Sequence, residues 1–374
     1  MPKAFINKGN FLILVLFFGL FAGVPAQAGS SDLASSSSDD AHEQEQSGQQ
    51  GLDIGEVILG HVVDHYSWHI ATIGSTHISI PLPVMLYSHE RGFFFFWSSH
   101  FDHGHSSYKR FKVAEEGPNK GSIVEMDAQG KVMEQRPLDF SITKNVAAVF
   151  FSILLMLYLF IHIAHMYRER GNRPPKGIQS LLEPVILFIR DDVAKKSVGE
   201  SDYEKFTPFL LTIFFFILIN NLLGLIPIFP AGANVTGNIS VTMALALFTF
   251  IVTLVSGKRE YWQEIFNPPA VPWWLKIPIP LVPVIEFVGI FIKPFVLMVR
   301  LFANISAGHI VMLGFLSLIF IFGNMNTYAG YGISVLSVLF TVFLTFLEIL
   351  VAFIQAYVFT ILSAIYIGMA RAHE

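Results

Sequence analysis

Arg300 stands within a long apolar run, and other polar side chains recur around it: Glu286, Lys293, Asn304 and His309 in the same run, Glu348 and Gln355 in the next. An arginine at the centre of a bilayer costs roughly 2.5–3.5 kcal/mol on insertion scales, so ionisable residues at such depth are rare and usually functional. At 100° per residue, Glu286, Lys293, Arg300 and Asn304 fall within about 80° of one another and make one polar stripe on an otherwise apolar helix, with His309 nearly opposite Arg300. Glu348 and Gln355, seven apart, share a face of the following helix. If the two runs pair antiparallel about a turn near residue 327, His309 faces a position near 345, within reach of Glu348, and Gln355 falls nearer the level of Arg300. A carboxyl and an imidazole in contact can pass a proton near neutrality. Arg300 has no carboxylate at its own depth in this chain, so its partner is expected in another subunit. These residue types at these spacings point to ion movement, with Arg300 at its centre.

Each residue also has a structural reading. Glu286 and Lys293 can snorkel to the cytoplasmic interface. Asn304 and Gln355 can act as hydrogen-bond glue between helices. A lone His309 is more often a packed polar residue, and the glutamate expected opposite it favours a proton relay.

The elements that must position these groups are membrane helices. The chain is 53% hydrophobic and only 14% charged, with a mean hydropathy of +0.56, a balance far from that of soluble domains. Spans are expected at 146–166, 206–228 and 238–256, followed by two very long apolar segments, 284–322 and 332–370, with a turn over 324–330. At 1.5 Å per residue each long segment would extend roughly 55–60 Å, against a bilayer core of about 30 Å. Each is either a tight hairpin of two spans or one strongly tilted helix. The lack of internal turn signals favours two long tilted helices. Basic residues mark the cytoplasmic side: Arg168, Arg170, Arg173 and Lys176 after the first span, Lys258 and Arg259 after the third, and Arg371 near the end. Residues 177–200 are too polar to span and fit an amphipathic helix on the cytoplasmic surface. Residues 229–237 read as a Pro/Gly/Asn turn. Residues 259–283 hold Trp262, Trp273, Trp274 and six prolines, and read as a loop along the inner membrane surface. The fold class is an all-α polytopic membrane protein of about five embedded helices, with a small β-rich extramembrane domain at the N-terminus.

That N-terminal part opens with Lys3 and Lys8, a short apolar run over 11–24, and Ala26-Gln27-Ala28. The pattern predicts a signal peptide, residues 1–28, cleaved after Ala28; a retained anchor is the alternative. Residues 29–50 are low-complexity and expected to be flexible. Residues 51–143 predict a periplasmic domain with a helix over 54–67 and strands at 76–87, 92–98, 108–113, 122–126 and 132–139, with Asp127-Ala128-Gln129-Gly130 as a hairpin turn. The membrane domain is 144–374. His61, His65 and His69 are spaced four apart, and His100, His103 and His105 follow. Such spacing permits zinc, but isolated spacing is weak evidence, and a solvated face is the preferred reading. No metal or cofactor is expected. The net charge of −4 gives no hint of a nucleic-acid partner, and the absence of cysteine excludes disulfides and thiolate chemistry. There is no Walker pattern, so this chain is not expected to bind nucleotide.

The run Lys293-Pro294-Phe295-Val296-Leu297-Met298-Val299-Arg300-Leu301-Phe302-Ala303-Asn304-Ile305-Ser306-Ala307-Gly308-His309 resembles the signature of subunit a of the F-type ATP synthase, the stator of a rotary membrane motor. Residues 348–362 are similar to its last helix, and Asn221-Leu222-Leu223-Gly224-Leu225-Ile226-Pro227 to an earlier span. The resemblance covers roughly residues 145–374. It implies a non-catalytic, proton-translocating subunit in which Arg300 faces a ring of c subunits, with Asn304 and Gln355 close by. It implies that His309 and Glu348 form a pair in a half-channel open to the outside. Their order is the reverse of the Glu-then-His order of well-known bacterial relatives. Glu286 is implied in the half-channel open to the cytoplasm, with lesser roles for Lys293 and Asn221. The implied partners are the c ring, the b-subunit peripheral stalk, other ATP synthase subunits and lipid. The implied place is the bacterial inner membrane, with the N-terminal domain periplasmic and the C-terminus cytoplasmic. The competing reading is an independent secondary ion transporter or channel, which predicts internal repeats and unwound helices at the midplane. The sequence displays no such repeat.

Overall fold

In lipid, backbone N–H and C=O groups must be satisfied within the chain, so long apolar runs become helices. A computed structural model describes residues 64–371 except 74–75, 105, 115–118, 120, 128, 134, 171–173, 227–230 and 267–280. The expected signal peptide, the low-complexity stretch and most of the expected helix over 54–67 lie outside the described residues.

The chain is mostly helical: α1 (Lys144–Arg170), α2 (Ile178–Phe188), a π turn (Ile189–Ala194), α3 (Lys195–Val198), α4 (Tyr203–Leu225), α5 (Ile239–Ser256), α6 (Arg259–Phe266), α7 (Leu281–Met325) and α8 (Thr327–Arg371). Among the described residues, α1, α4, α5, α7 and α8 are long and apolar enough to cross a membrane. The last two are single helices of 45 residues each, so the hairpin alternative is excluded. The expected seven-residue turn shrinks to Asn326 alone. Asn326 can do this because its side-chain oxygen accepts from the Tyr328 N–H at 2.9 Å and caps α8. The hairpin is tight enough that a Cβ on Gly330 would lie 2.7 Å from the Gly323 Cα. The inner loop also differs from expectation: Arg259–Phe266 is helical, because its prolines begin only at Pro268. The rest of that loop, 267–280, lies outside the described residues.

Helix α4 is apolar all round and is buried accordingly. Leu210, Ile213, Phe214, Phe215, Phe216 and Ile217 pack with Leu297 and Leu301 of α7 and Ala356 and Phe359 of α8. The Thr249 and Ser363 hydroxyls, 3.3 Å apart, join α5 to α8. At the far end of α8, the backbone carbonyl of Ser197 occupies the space a Cβ on Gly368 would need, and Arg371 clasps Asp202 with two hydrogen bonds of 2.9 and 2.7 Å.

Among the described residues, seven strands in three antiparallel sheets precede α1: β1 (Ser67–Ile73) with β2 (Thr76–Pro81), then β3 (Pro83–Ser88) between β4 (Gly92–Trp97) and β7 (Leu138–Asp139), and β5 (Phe111–Val113) with β6 (Ile123–Glu125). Strand β1 starts at Ser67, the last residue of the expected helix, and runs over residues for which no element was expected. It pairs Ile73 with Thr76. The expected strand over 76–87 breaks at Leu82 into β2 and β3, since the flanking Pro81 and Pro83 cannot donate to a ladder, and the Leu82 N–H turns to the Ser98 hydroxyl. The Asp127 hairpin forms as expected. Its carboxylate accepts from the Gln129 and Lys131 N–H groups, and Gly130 takes φ +83°.

Strand β3 alternates, with Val84 and Leu86 in a small core beside Phe96, Phe101 and Phe111. Two bonds, Phe140 N–H to Met85 O and Ile142 N–H to Pro83 O, tie this sheet to the start of α1. Asp64 caps that start from a distance: it accepts from Thr143 Oγ1 at 2.7 Å and from Asn145 N–H at 3.0 Å. Burial pushes the Asp64 carboxyl above the usual range, opposed by these two bonds.

Candidate ion-translocation site

Helices α7 and α8 run antiparallel against each other, and their polar residues meet in levels. At the middle level, Asn304 Nδ2 donates to Gln355 Oε1 at 2.9 Å. Gln355 is 2% exposed and its Nε2 is an orphaned buried donor. One turn along α7, Arg300 is exposed while its neighbours Leu297 and Leu301 are buried in the helical core. Among the described residues Arg300 enters no ion pair. Gln355 thus lies one turn from the level of Arg300, where the sequence expected it.

Nine residues along α7 from Arg300, about 13 Å at 1.5 Å per residue, comes the His309 level. Glu348 reaches it as expected, but the contact differs from the one expected. Its carboxylate fills the space that a Cβ on Gly308 would occupy, and its Oε2 is buried without a partner. The His309 ring turns instead toward α4, where its Nε2 would lie 3.6 Å from a Cβ on Gly224. Among the described residues no hydrogen bond or ion pair joins His309 to Glu348. The two groups are brought to one level, Glu348 at Gly308 of α7 and His309 at Gly224 of α4.

Toward the other end of α7, the Lys293 ammonium lies over the Tyr366 ring at 5.7 Å. Both border a small cavity shared with Thr253 and Tyr261. Burial pushes the Tyr261 phenol up, and the Glu286 and Glu264 charges add to the effect. Glu286 is exposed on the first turns of α7.

Asn221 bridges elements that are distant in sequence. Its Oδ1 accepts from Thr236 Oγ1 at 2.5 Å, and its Nδ2 faces the Ala352 carbonyl of α8 at 3.4 Å. Asn220, Asn234, Thr236, Ser306, Gly308 and Tyr366 were not singled out from sequence. The Asn220-Asn221 doublet within a span and the polar Asn234-Val235-Thr236-Gly237-Asn238 run beside one were the available signals.

Among the described residues, no three His, Asp or Glu side chains could hold a metal ion. His100 packs on Tyr108 with ring centroids 4.2 Å apart, its Nδ1 3.0 Å from the Trp97 carbonyl oxygen. His61 and His105 lie outside the described residues.

Comparison with known proteins agrees with this arrangement. Residues 146–368 match the family described as ATP synthase A chain, and residues 57–140 match a domain of unknown function (DUF8433). A protein named ATP synthase subunit a from Chloroherpeton thalassium is 45% identical over 243 residues, which is 63% of this chain and 68% of that one. One of the same name from Chlorobium phaeobacteroides (strain BS1) is 44% identical over 243 residues, 63% of this chain and 68% of its own. A third, from Myxococcus xanthus, is 43% identical over 242 residues, covering 63% and 74% respectively. With its spanning helices matched almost from end to end, and its polar residues stacked in levels between α7 and α8, the chain belongs to the ATP synthase A chain family.

Proposed function

We propose that this chain is the proton-translocating stator subunit of a rotary ATP synthase. Two half-channels meet at Arg300, one reaching the outside through His309 and Glu348, the other reaching the cytoplasm past Glu286 and Lys293. The observation that carries this reading is Arg300 itself: an exposed guanidinium among apolar neighbours, one turn from the Asn304–Gln355 bond, with no ion pair among the described residues. Such a cation awaits a carboxylate from another subunit, here a ring of c subunits.

The energetics suit the task. A fixed cation close to a carboxyl group favours its ionised form by about 1.4–4 kcal/mol. A membrane potential supplies about 2.3 kcal/mol per charge per 100 mV. The two are similar in size, so the attraction discharges an arriving carboxylic acid without trapping the rotor. Arginine keeps its charge when desolvated, where lysine can lose it. Asn304 and Gln355 hold the level of the meeting point, and Asn221 ties α4 to α8 beside it.

In this reading the chain is a non-catalytic subunit that binds no nucleotide and needs no cofactor or metal. It works with the c ring, the b-subunit peripheral stalk and the other ATP synthase subunits. It sits in the bacterial inner membrane with its signal peptide removed and its strand-rich domain in the periplasm. The α2–α3 run lies on the cytoplasmic surface with the C-terminus. Basic residues after α1 and α5 support this orientation. The test is ATP-driven acidification of inverted vesicles with the assembled complex. Arg300→Ala should assemble and fail to pump. Normal pumping by that variant would refute the reading and favour an independent transporter.

A further inference from the structure

Residues 231–238, ahead of α5, form a loop that does not lie on the surface. Residues 231 and 233–237 are all buried, although loops usually run outside because buried backbone polar groups need partners. Here the partners come from the helices of the site. Thr236 Oγ1 donates to Asn221 Oδ1 at 2.5 Å, and Ser306 Oγ of α7 faces the Gly237 carbonyl at 3.5 Å. The Gly237 N–H donates to Asn234 Oδ1 at 3.0 Å. The Asn234 carboxamide lies where a Cβ on Gly237 would be.

Two amide atoms remain orphaned beside this loop. Asn234, 6% exposed, has an unpartnered Nδ2, and Asn220, 1% exposed, has an unpartnered Oδ1. Asn220 and Gly224 are four apart on α4 and share a face. That face at Gly224 meets both the His309 Nε2 and the Ala233 carbonyl of the loop. One orphaned donor, one orphaned acceptor and the His309 imidazole thus belong to one packed junction of α4, the loop and α7. Buried polar groups are nearly always paired with protein or ordered water, and sites with several polar groups are where such water is held.

We propose that the inward-folded loop over residues 231–238 lines the outer access path to His309, and that Asn220 and Asn234 are positioning residues that hold its water. The proposal rests on the stator reading above. Protons from the outside reach the imidazole along water held by the two carboxamides, neither of which gains or loses a proton.

The chain has no cysteine, so an introduced cysteine is the sole thiol of this subunit, and the complex with the cysteine-free chain serves as the background. The experiment uses the assembled complex in proteoliposomes, with a small cationic methanethiosulfonate reagent applied on the side of the strand-rich domain. Asn234→Cys and Asn220→Cys are compared with Leu247→Cys on the exposed apolar side of α5. The two asparagine variants should react and lose pumping on reaction, while Leu247→Cys should keep pumping. Asn234→Leu and Asn220→Leu should slow pumping roughly 2–10-fold, the equivalent of about one hydrogen bond, and Asn234→Gln should restore it. Cysteines at 220 and 234 that react no faster than the one at 247 would overturn the proposal, even if the leucine variants pump slowly, since that combination is a packing defect. Pumping that survives Arg300→Ala would sink the stator reading itself. Pumping that needs Arg300 but ignores both asparagines would sink only this proposal.

Discussion

The Glu348 carboxylate of α8 occupies the position that a side chain on Gly308 of α7 would fill. Two helices approach here without an intervening Cβ, and an acid is seated against backbone one residue from His309. Gly308→Ala should therefore displace the carboxylate, an overpacking change of about 1–3 kcal/mol. ATP-driven acidification should fall in assembled complexes. A second change, Glu348→Asp, shortens the acid by one methylene and should recover part of the lost rate. No recovery, with intact assembly, would mean that Gly308 matters for something other than seating Glu348.

Arg300 should also act as a barrier. In the stator reading its charge keeps the two half-channels from joining. Arg300→Ala membranes stripped of the catalytic sector should leak protons passively more than wild type, while losing driven transport. Arg300→Lys keeps a charge but loses the planar, always-protonated fork, so driven transport should remain well below wild type. Passive proton flux measured with a pH-sensitive dye separates the two effects.

The Asn304–Gln355 bond should behave as one unit. Each of Asn304→Leu and Gln355→Leu should reduce pumping, and the double variant should be scarcely worse than the poorer single. Coupling of about 0.6–1.7 kcal/mol is the range for hydrogen bonds between membrane helices. Strictly additive losses from a double-mutant cycle would show that the two side chains act separately.

Acid should loosen the clasp at the end of α8. The Arg371 guanidinium holds the Asp202 carboxyl below the usual carboxylate range. A depressed folded value means the contribution to stability is complete above the ordinary aspartate range, near pH 4, and disappears as pH falls through the lower folded value. The pair is partly open to solvent, so its worth is at most about 1 kcal/mol. Asp202→Asn should lower Tm slightly at neutral pH and flatten the Tm loss between about pH 5 and 3. An equal acid slope in both proteins would assign the effect to other groups.

The amino-acid sequence by itself determined the helical spans, because crossing lipid depends on a local sum of apolar side chains over about 20 residues. It also brought Arg300, Asn304, His309, Glu348 and Gln355 to neighbouring levels of one antiparallel helix pair. Helical periodicity and an antiparallel turn place them within a few residues of their observed levels. Tertiary structure alone decided which atoms meet. Asn304 bonds Gln355, while His309 turns to Gly224 of α4 rather than to Glu348, because the ring direction is set by neighbours some 85 residues away in sequence. The same holds for residues 231–238. A Pro/Gly/Asn stretch reads as a surface turn, and only the polar partners offered by Asn221 and Ser306 allow it to fold inward. Strand β1 repeats the lesson outside the membrane: residues 67–73 become a strand because β2 is there to pair with them, and pairing between strands is not a property of either segment alone.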